Sequence, residues 1–375
     1  MTAESANYKA AGVDYGALDE GKRMAMARAL ATSSLLGARG GRALDASRGE
    51  PAFVFELDGR TLAFVMEGLG TKSVIARQVL ERHGINRFAD VAYDTVAAIL
   101  NDLCCVGALP LAVSAYFATG ASEWYDEKQR AATLLEGWQR ACVDAGCVWG
   151  GGESPSLSGL VAEHDIELAG SAVGALPAGR SAILGEELQA GDEIVLVGSS
   201  GLHANGASLA RLLVERLPDG YMTALPSGRT LGEALLDHSV MYVPLVQELL
   251  ESGLGVSYLS HVTGHGLLKL MRPARPFTYR ITALPPVPEV LAFLVDKSGL
   301  DAHDAYSTFN MGSGYAVYSA AGSGAAVAAL ARRLGLYAIP AGVVEAGPRR
   351  VIVEPIGVHY AAGELDFSPS EEPPS

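Results

Sequence analysis

The densest set of chemistry-bearing residues is Gly198-Ser-Ser-Gly-Leu-His-Ala-Asn-Gly206, directly after the apolar run Ile194-Val-Leu-Val197. The pattern predicts a buried strand, a tight glycine turn, and a helix opening at Ala204 to Ser208. Such a turn presents backbone N–H groups, the Ser200 hydroxyl, the His203 imidazole and the Asn205 amide to an anion or polar ligand. Alone it names no reaction. The Gly-x-Ser-x-Gly spacing of a hydrolase elbow is absent.

Several distant segments carry the same kind of residue. Glu67-Gly-Leu-Gly-Thr-Lys72 follows an apolar run and precedes a helical one. Gly68, Gly70 and Thr71 allow close backbone approach to a phosphate, Lys72 adds a counter-charge, and Glu67 can hold a bridging cation. A plain helix-start turn explains the segment equally well, and the Walker frame is missing. Asp94, Asn101 and Asp102 interrupt an apolar helical stretch, with Asp94 and Asn101 on one face and Asp102 at its edge. Buried carboxylates need a cation, an ion pair or hydrogen bonds, so a Mg²⁺ site and an internal salt bridge or helix cap both remain open. Glu153 follows Gly150-Gly-Gly152, either as a ligand or as a solvated turn residue. His261-Val-Thr-Gly-His-Gly266 and Thr308-Phe-Asn-Met-Gly312 place Thr263, Thr308 and Asn310 beside further glycines.

The elements that must position these groups alternate along the chain. Phe53–Leu57 and Thr61–Met66 flank Asp58-Gly59, a type I′ hairpin signal. Helices are expected over Gly16–Ala31, from Lys72 to about His83, and over Val91–Val106 and Asp126–Ala145. Strands are expected at Leu111–Phe117 and Ile166–Val173. Pro177-Ala-Gly-Arg180 reads as a linker. Beyond it come a strand at Ile194–Val197, helices at Ala204–Glu215 and Gly232–Ser252, a strand and turn over Tyr258–Gly266, and a helix near Glu289–Val295. A strand near Tyr315–Ser319 and a helix near Ser323–Leu334 follow.

A length of 375 residues implies two domains. They are drawn at 1–176 and 181–355, with a tail at 356–375 whose Pro-, Ser- and Glu-rich end reads as disordered. A net charge of −14 without basic runs argues against nucleic acid or an anionic membrane surface as partner. No apolar run approaches the ~18 residues of a membrane span, and no apolar leader core follows Met1. Cys104, Cys105, Cys142 and Cys147 form no C-x-x-C pair and read as buried thiols of a reducing cytoplasm.

Together these segments resemble the aminoimidazole ribonucleotide synthetase (phosphoribosylformylglycinamidine cyclo-ligase) family. The likeness runs from Tyr8-Lys-Ala-Ala-Gly-Val-Asp14 through Asn101-Asp-Leu103, Gly107-Ala-Leu-Pro110, Ala118-Thr-Gly120 and Gly151-Gly-Glu153. It continues through the Gly198–Gly206 turn, His261–Gly264 and Thr308–Gly312 to about Pro355. The resemblance implies an α/β (α+β) two-domain fold whose N-terminal domains pair into a shared β-barrel in a homodimer. It also implies ATP and Mg²⁺, with K⁺ as a possible second cation, and a small ribonucleotide substrate. ATP would phosphorylate the formyl amide oxygen of formylglycinamidine ribonucleotide, and the amidine nitrogen would then close the imidazole ring and expel phosphate.

On that likeness Glu67, Asp102 and Glu153 are the metal candidates. Gly68, Gly70, Thr71, Lys72 and Asn101 are the nucleotide candidates. Ser200, Asn205, Thr263, Thr308 and Asn310 are the substrate candidates. His203, Asp94 and Asp102 are the catalytic candidates, His203 as the proton carrier. Alternatives are a sister ATP enzyme acting on another amide or phosphorylated substrate, or a non-catalytic dimeric paralogue. Departures from the family pattern are Glu67 for the usual Asp, the arginine-bearing loop Gly37-Ala-Arg-Gly-Gly-Arg42, His265 for a glycine, and Pro155-Ser-Leu-Ser-Gly159.

Overall fold

The computed structural model describes residues 15–365, with side chains from Glu20 onward. The motif Tyr8–Asp14 and the tail end Ser368–Ser375 lie outside the described residues. The first half comprises α1 (Tyr15–Leu30), β1 (Gly41–Ala43), β2 (Phe53–Leu57), β3 (Arg60–Gly68), α2 (Lys72–His83), α3 (Phe88–Cys104), β4 (Leu109–Thr119), α4 (Lys128–Ala145), β5 (Val148–Glu153) and β6 (Ile166–Ala175). The strands form one sheet in the order β1-β2-β3-β6-β4-β5. Asp58 and Gly59 both have positive φ, 49° and 74°, as the type I′ turn between β2 and β3 requires. Helix α3 is apolar nearly all round because it is buried between the sheet and α4. The opposite face of the sheet exposes Phe64, Met66, Leu111 and Val148.

This sheet is open. β1 pairs only with β2 and β5 only with β4. The expectation of a shared β-barrel is therefore corrected: the described residues contain mixed, open sheets and no closed barrel. The physical reason lies in the edges. Closure requires hydrogen bonding between the edge strands, but β1 is three residues long and β5 carries the Gly150–Gly152 run.

The second half comprises β7 (Glu193–Gly198), α5 (Ala207–Val214), α6 (Leu231–Leu235), α7 (Val243–Ser252), β8 (Val256–His261), β9 (Phe277–Ile281), α8 (Glu289–Ser298), α9 (Ala302–Thr308), β10 (Ser313–Ser319), α10 (Gly324–Arg333), β11 (Ala338–Ala346), β12 (Arg350–Val353) and β13 (Val358–Ala361). Its sheet runs β13-β12-β9-β11-β7-β10-β8, antiparallel except where β12 meets β9. The core strand Ile194–Val197 is wholly buried, as its unbroken apolar run demands.

Two helices differ from the sequence reading, and both differences shape the site. The single helix expected over Gly232–Ser252 is α6 and α7 with an extended break at 236–242. Pro244 sits in the first turn of α7, where its missing N–H costs nothing. Helix α5 opens at Ala207 rather than Ala204, because His203 and Gly206 both take positive φ (58° and 101°) and extend the turn. A Cβ on Gly206 would lie 2.6 Å from the Phe309 ring, so only glycine fits there.

Candidate active site

A cleft of about 530 Å³ lies between the two halves. The β3–α2 turn supplies Glu67, Gly68, Gly70 and Thr71, and α3 supplies Asp102. The second half supplies Asn205, His261, Thr263, His265 and Lys269. The two walls touch where the Thr71 and Ser208 hydroxyls lie 2.9 Å apart.

The electrostatics centre on Glu67 and Asp102. Asp102 Oδ1 lies 2.6 Å from His261 Nδ1. Burial opposes ionisation of Asp102, but the hydrogen bond and charge of His261, with Lys269 and Arg272, hold its carboxyl below the usual range. With Asp102 ionised, His261 Nδ1 is the donor of that bond. Burial pushes Glu67 up to about 7, and the neighbouring Asp102 charge adds to the rise. Lys269 donates to the Thr263 hydroxyl, and burial draws its amine down to about 8 against the pull of Asp102. Two adjacent carboxylates, one reluctant to ionise, form a donor set that fits Mg²⁺, which takes one or two carboxylates and fills its shell with water and phosphate oxygens.

Glu153 does not join them. The register row Glu67–Gly170–Ala115–Gly152 places Glu153 one residue further along β5, on the opposite face of the sheet. It is three strands away, about 14 Å at the usual strand spacing. No group of three or more His, Cys, Asp or Glu among the described residues is arranged to hold a metal ion.

The remaining sequence candidates form a clamp behind the cleft. Lys72 and Asp94 are fully buried and pair at 2.6 Å. Lys72 Nζ also donates to the Asp237 carbonyl at 3.0 Å. Asp94 Oδ1 accepts from the backbone N–H and hydroxyl of Ser239, at 2.6 and 2.5 Å. Asn101 donates to the Val240 carbonyl at 2.9 Å and accepts from Tyr242 N–H at 2.8 Å. These three side chains thus seize the break between α6 and α7. That break in turn holds the glycine turn: Ser200 Oγ donates to the His238 carbonyl at 2.6 Å, and Tyr242 OH donates to the Gly198 carbonyl at 2.7 Å.

His203 lies inside this clamp rather than in the cleft wall. Its Nε2 accepts from Ser200 N–H at 3.2 Å, and burial, reinforced by His261, holds the ring neutral by lowering its pKa. Asn310 fastens the same turn, accepting from Ser199 Oγ at 2.7 Å and donating to the Gly201 carbonyl at 2.8 Å. Thr308 is buried at the end of α9, and neither it nor Asn310 lines the cleft.

Sequence reasoning overlooked Lys22, Glu50, Lys269 and Arg272, all of which line the cleft. Lys269 had a signal: it is the lone charge in Leu267-Leu-Lys-Leu-Met271. Glu50 and Lys22 sit in unremarkable polar surroundings. The arginine-bearing loop 37–42 does not line the cleft; Gly49–Pro51 does. His265, where a glycine was expected, takes φ 70°, the left-handed conformation that glycine adopts without strain.

Both halves match models of one family: AIR synthase related protein, N-terminal domain, over residues 49–176, and its C-terminal domain over 189–354. The two matches together take in most of the chain and make it an AIR synthase-related protein. The chain is 36% identical to an Anaeromyxobacter phosphoribosylformylglycinamidine cyclo-ligase, across 92% of this chain and 97% of the relative. It is 30% identical to the cyclo-ligase of Carboxydothermus hydrogenoformans, across 93% and 99%. The chain belongs to the phosphoribosylformylglycinamidine cyclo-ligase family, and so to ATP-dependent ligase-type enzymes. Its fold is also that of E. coli HypE, a hydrogenase maturation protein (TM-score 0.56, 20% identity, 83% of this chain and 87% of that one). Thiamine-monophosphate kinase from Stenotrophomonas maltophilia shares it as well (TM-score 0.56, 20% identity, 81% and 88%).

Proposed function

We propose that the protein converts formylglycinamidine ribonucleotide to aminoimidazole ribonucleotide, using ATP to activate the formyl amide oxygen. One observation carries this reading: a chain matched over nine-tenths of its length by cyclo-ligases brings a carboxylate pair, an imidazole and an amine together in one interdomain cleft. Phosphoryl transfer needs positioning and charge neutralisation more than a covalent nucleophile, and the cleft offers the former. Glu67 and Asp102 would hold Mg²⁺, whose chemistry is neutralisation of triphosphate charge. The glycines of the β3–α2 turn let backbone approach the nucleotide, and Thr71 adds a hydroxyl. His261, oriented through Nδ1 by Asp102, takes the amidine proton as the nitrogen attacks the activated carbon. Asn205 and Thr263 orient the ribonucleotide from the second wall. Lys72, Asp94, Asn101, Ser200, His203 and Asn310 act in this reading by positioning, through the clamp behind the cleft.

The protein also works as a homodimer in this proposal, through the apolar outer face of the first sheet. The deciding experiment has two parts. Phosphate release from ATP is followed with formylglycinamidine ribonucleotide, Mg²⁺ and K⁺, and growth rescue is scored in a purine auxotroph lacking the cyclo-ligase. Turnover and rescue are expected from the wild type, and from His261→Asn a loss of kcat of at least roughly a hundredfold. A folded protein that binds ATP yet neither turns over nor rescues would sink the reading and point to a sister ATP enzyme.

A further inference from the structure

Helix α4 ends on a glycine cap that brings two cysteines together. Gly146 takes φ 67°, and its N–H donates to the Val143 carbonyl at 3.1 Å. The next N–H, of Cys147, donates to the Cys142 carbonyl at 3.0 Å. These two bonds make a Schellman motif, which folds the residue after the glycine back onto the last turn of the helix. The side-chain contact that accompanies such a cap is usually apolar. Here it is thiol on thiol, with Cys142 and Cys147 hydrogen-bonded to each other. A direct N–H···O=C bond between two residues leaves their Cα atoms within the about 4.4–6.8 Å that a disulfide spans. Cys142 is buried and Cys147 half-buried at the margin of the core. The hydrogen bond from Cys142 holds the Cys147 thiol below its usual range and drives Cys142 above its own, so charge collects on the sulfur nearer solvent. Cys104, which also feels the charge of Cys147, is sealed in the core. All four thiols are free, and neither Cys142 nor Cys147 lines the cleft.

We propose that Cys142 and Cys147 form a redox modification site, oxidised by a hydroperoxide to a disulfide that closes the turn between α4 and β5. Cys147 is the attacking sulfur. With hydrogen peroxide, its S–O bond forms as the O–O bond breaks, and the departing hydroxide takes the proton that Cys147 released to become water. Cys147 is then a sulfenic acid. The Cys142 sulfur attacks it, the S–S bond forms as the S–O bond breaks, and the hydroxyl leaves with the Cys142 proton as a second water. Two electrons pass from the dithiol to the peroxide. A dithiol reductant reverses the change, and the disulfide spares Cys147 the further step to sulfinic acid.

The test is peptide mass analysis of the full chain after exposure to hydrogen peroxide, with remaining thiols alkylated in denaturant before digestion. Trypsin cuts after Arg140 and Arg180 and leaves both cysteines in one peptide, 141–180, whereas Cys104 and Cys105 fall in 88–128. Wild type should yield peptide 141–180 without alkylation and lighter by two hydrogens, and dithiothreitol should restore both alkylation sites. Cys142→Ser removes the resolving sulfur, so sulfinic acid at Cys147 should rise at least roughly tenfold over wild type. Cys147→Ser should slow oxidation of the buried Cys142 by roughly tenfold or more. Cys104→Ser should leave the bridge in 141–180 unchanged. Full alkylation of 141–180 in peroxide-treated wild type overturns the proposal. So does a bridge linking 141–180 to 88–128, or sulfinic acid at Cys147 as abundant in wild type as in Cys142→Ser.

Discussion

Glu67 concentrates the chemistry of the cleft into one side chain. Its pKa is pushed up to about 7 by burial and then by Asp102, whereas an unfolded glutamate titrates near 4.3. The folded state therefore binds the extra proton between those two values, and stability is fully present below about pH 4 and lost as pH rises through 7. Between pH 4.5 and 7.5 the Glu67 contribution falls by about 3 kcal/mol. His203, its pKa lowered by burial, adds stability over the same range as the unfolded imidazole loses its proton. The Glu67 share is therefore read from urea melts of the metal-free wild type against Glu67→Gln. Glu67→Gln should gain stability relative to wild type as pH rises across that range, because the amide mimics the protonated acid. Asp102 works in the opposite sense, since its lowered pKa adds stability that disappears only in acid, outside that window. An unchanged slope in Glu67→Gln would show that the carboxylate is ionised throughout.

At the scale of elements, α2 and α3 grip the break between α6 and α7 with charge and amide groups rather than apolar side chains. The Lys72–Asp94 pair is sealed from water, and a buried pair is costly to break because the survivor is left uncompensated. Lys72→Met should lower the unfolding free energy by about 3–5 kcal/mol. Lys72→Met with Asp94→Asn should recover part of that loss, since the residual charge is gone. Denaturant titration of the two variants measures both numbers. A cost below about 1 kcal/mol for the single variant would place Lys72 among exposed pairs and refute the clamp. The clamp also couples folding to the site, because Ser200 and His203 hold their turn through His238 and Val240.

For the molecule as a whole, the outer face of the first sheet is the conspicuous surface. Phe64, Met66, Leu111 and Val148 are exposed there, beside the stacked Phe53 and Phe55 rings at 5.7 Å. Contiguous apolar surface of this kind marks an interaction site in soluble proteins. Met66→Glu should convert the dimer proposed for this chain to monomer in sedimentation experiments without unfolding it, because Met66 points away from the core. A wild type that sediments as a monomer at micromolar concentration would remove this use of the face. No helix among the described residues is long and apolar enough to cross a membrane.

Local signals in the chain determined most of the elements. The Asp58-Gly59 turn, the glycine ends of α2 and α4 at Gly84 and Gly146, and the unbroken run Ile194–Val197 each depend on a few neighbouring residues and their conformational preferences. The order of motifs was legible for the same reason, and with it the family. Even the shared face of Asp94 and Asn101 followed from helical spacing, since both meet the 239–242 break. What only the tertiary structure decided is what those polar groups meet. Asp94 and Asp102 lie on the same helix, yet one is sealed against Lys72 and Ser239 while the other faces the cleft with His261 and Glu67. Spacing along a helix fixes direction but not the partner packed across from it. The same limit explains why Glu153 reads as a ligand in sequence but lies on the far face of the sheet, and why His203 is a neutral fastener. It also explains why the sheet is open: pairing between distant strand edges is a long-range choice, and no local pattern encodes it.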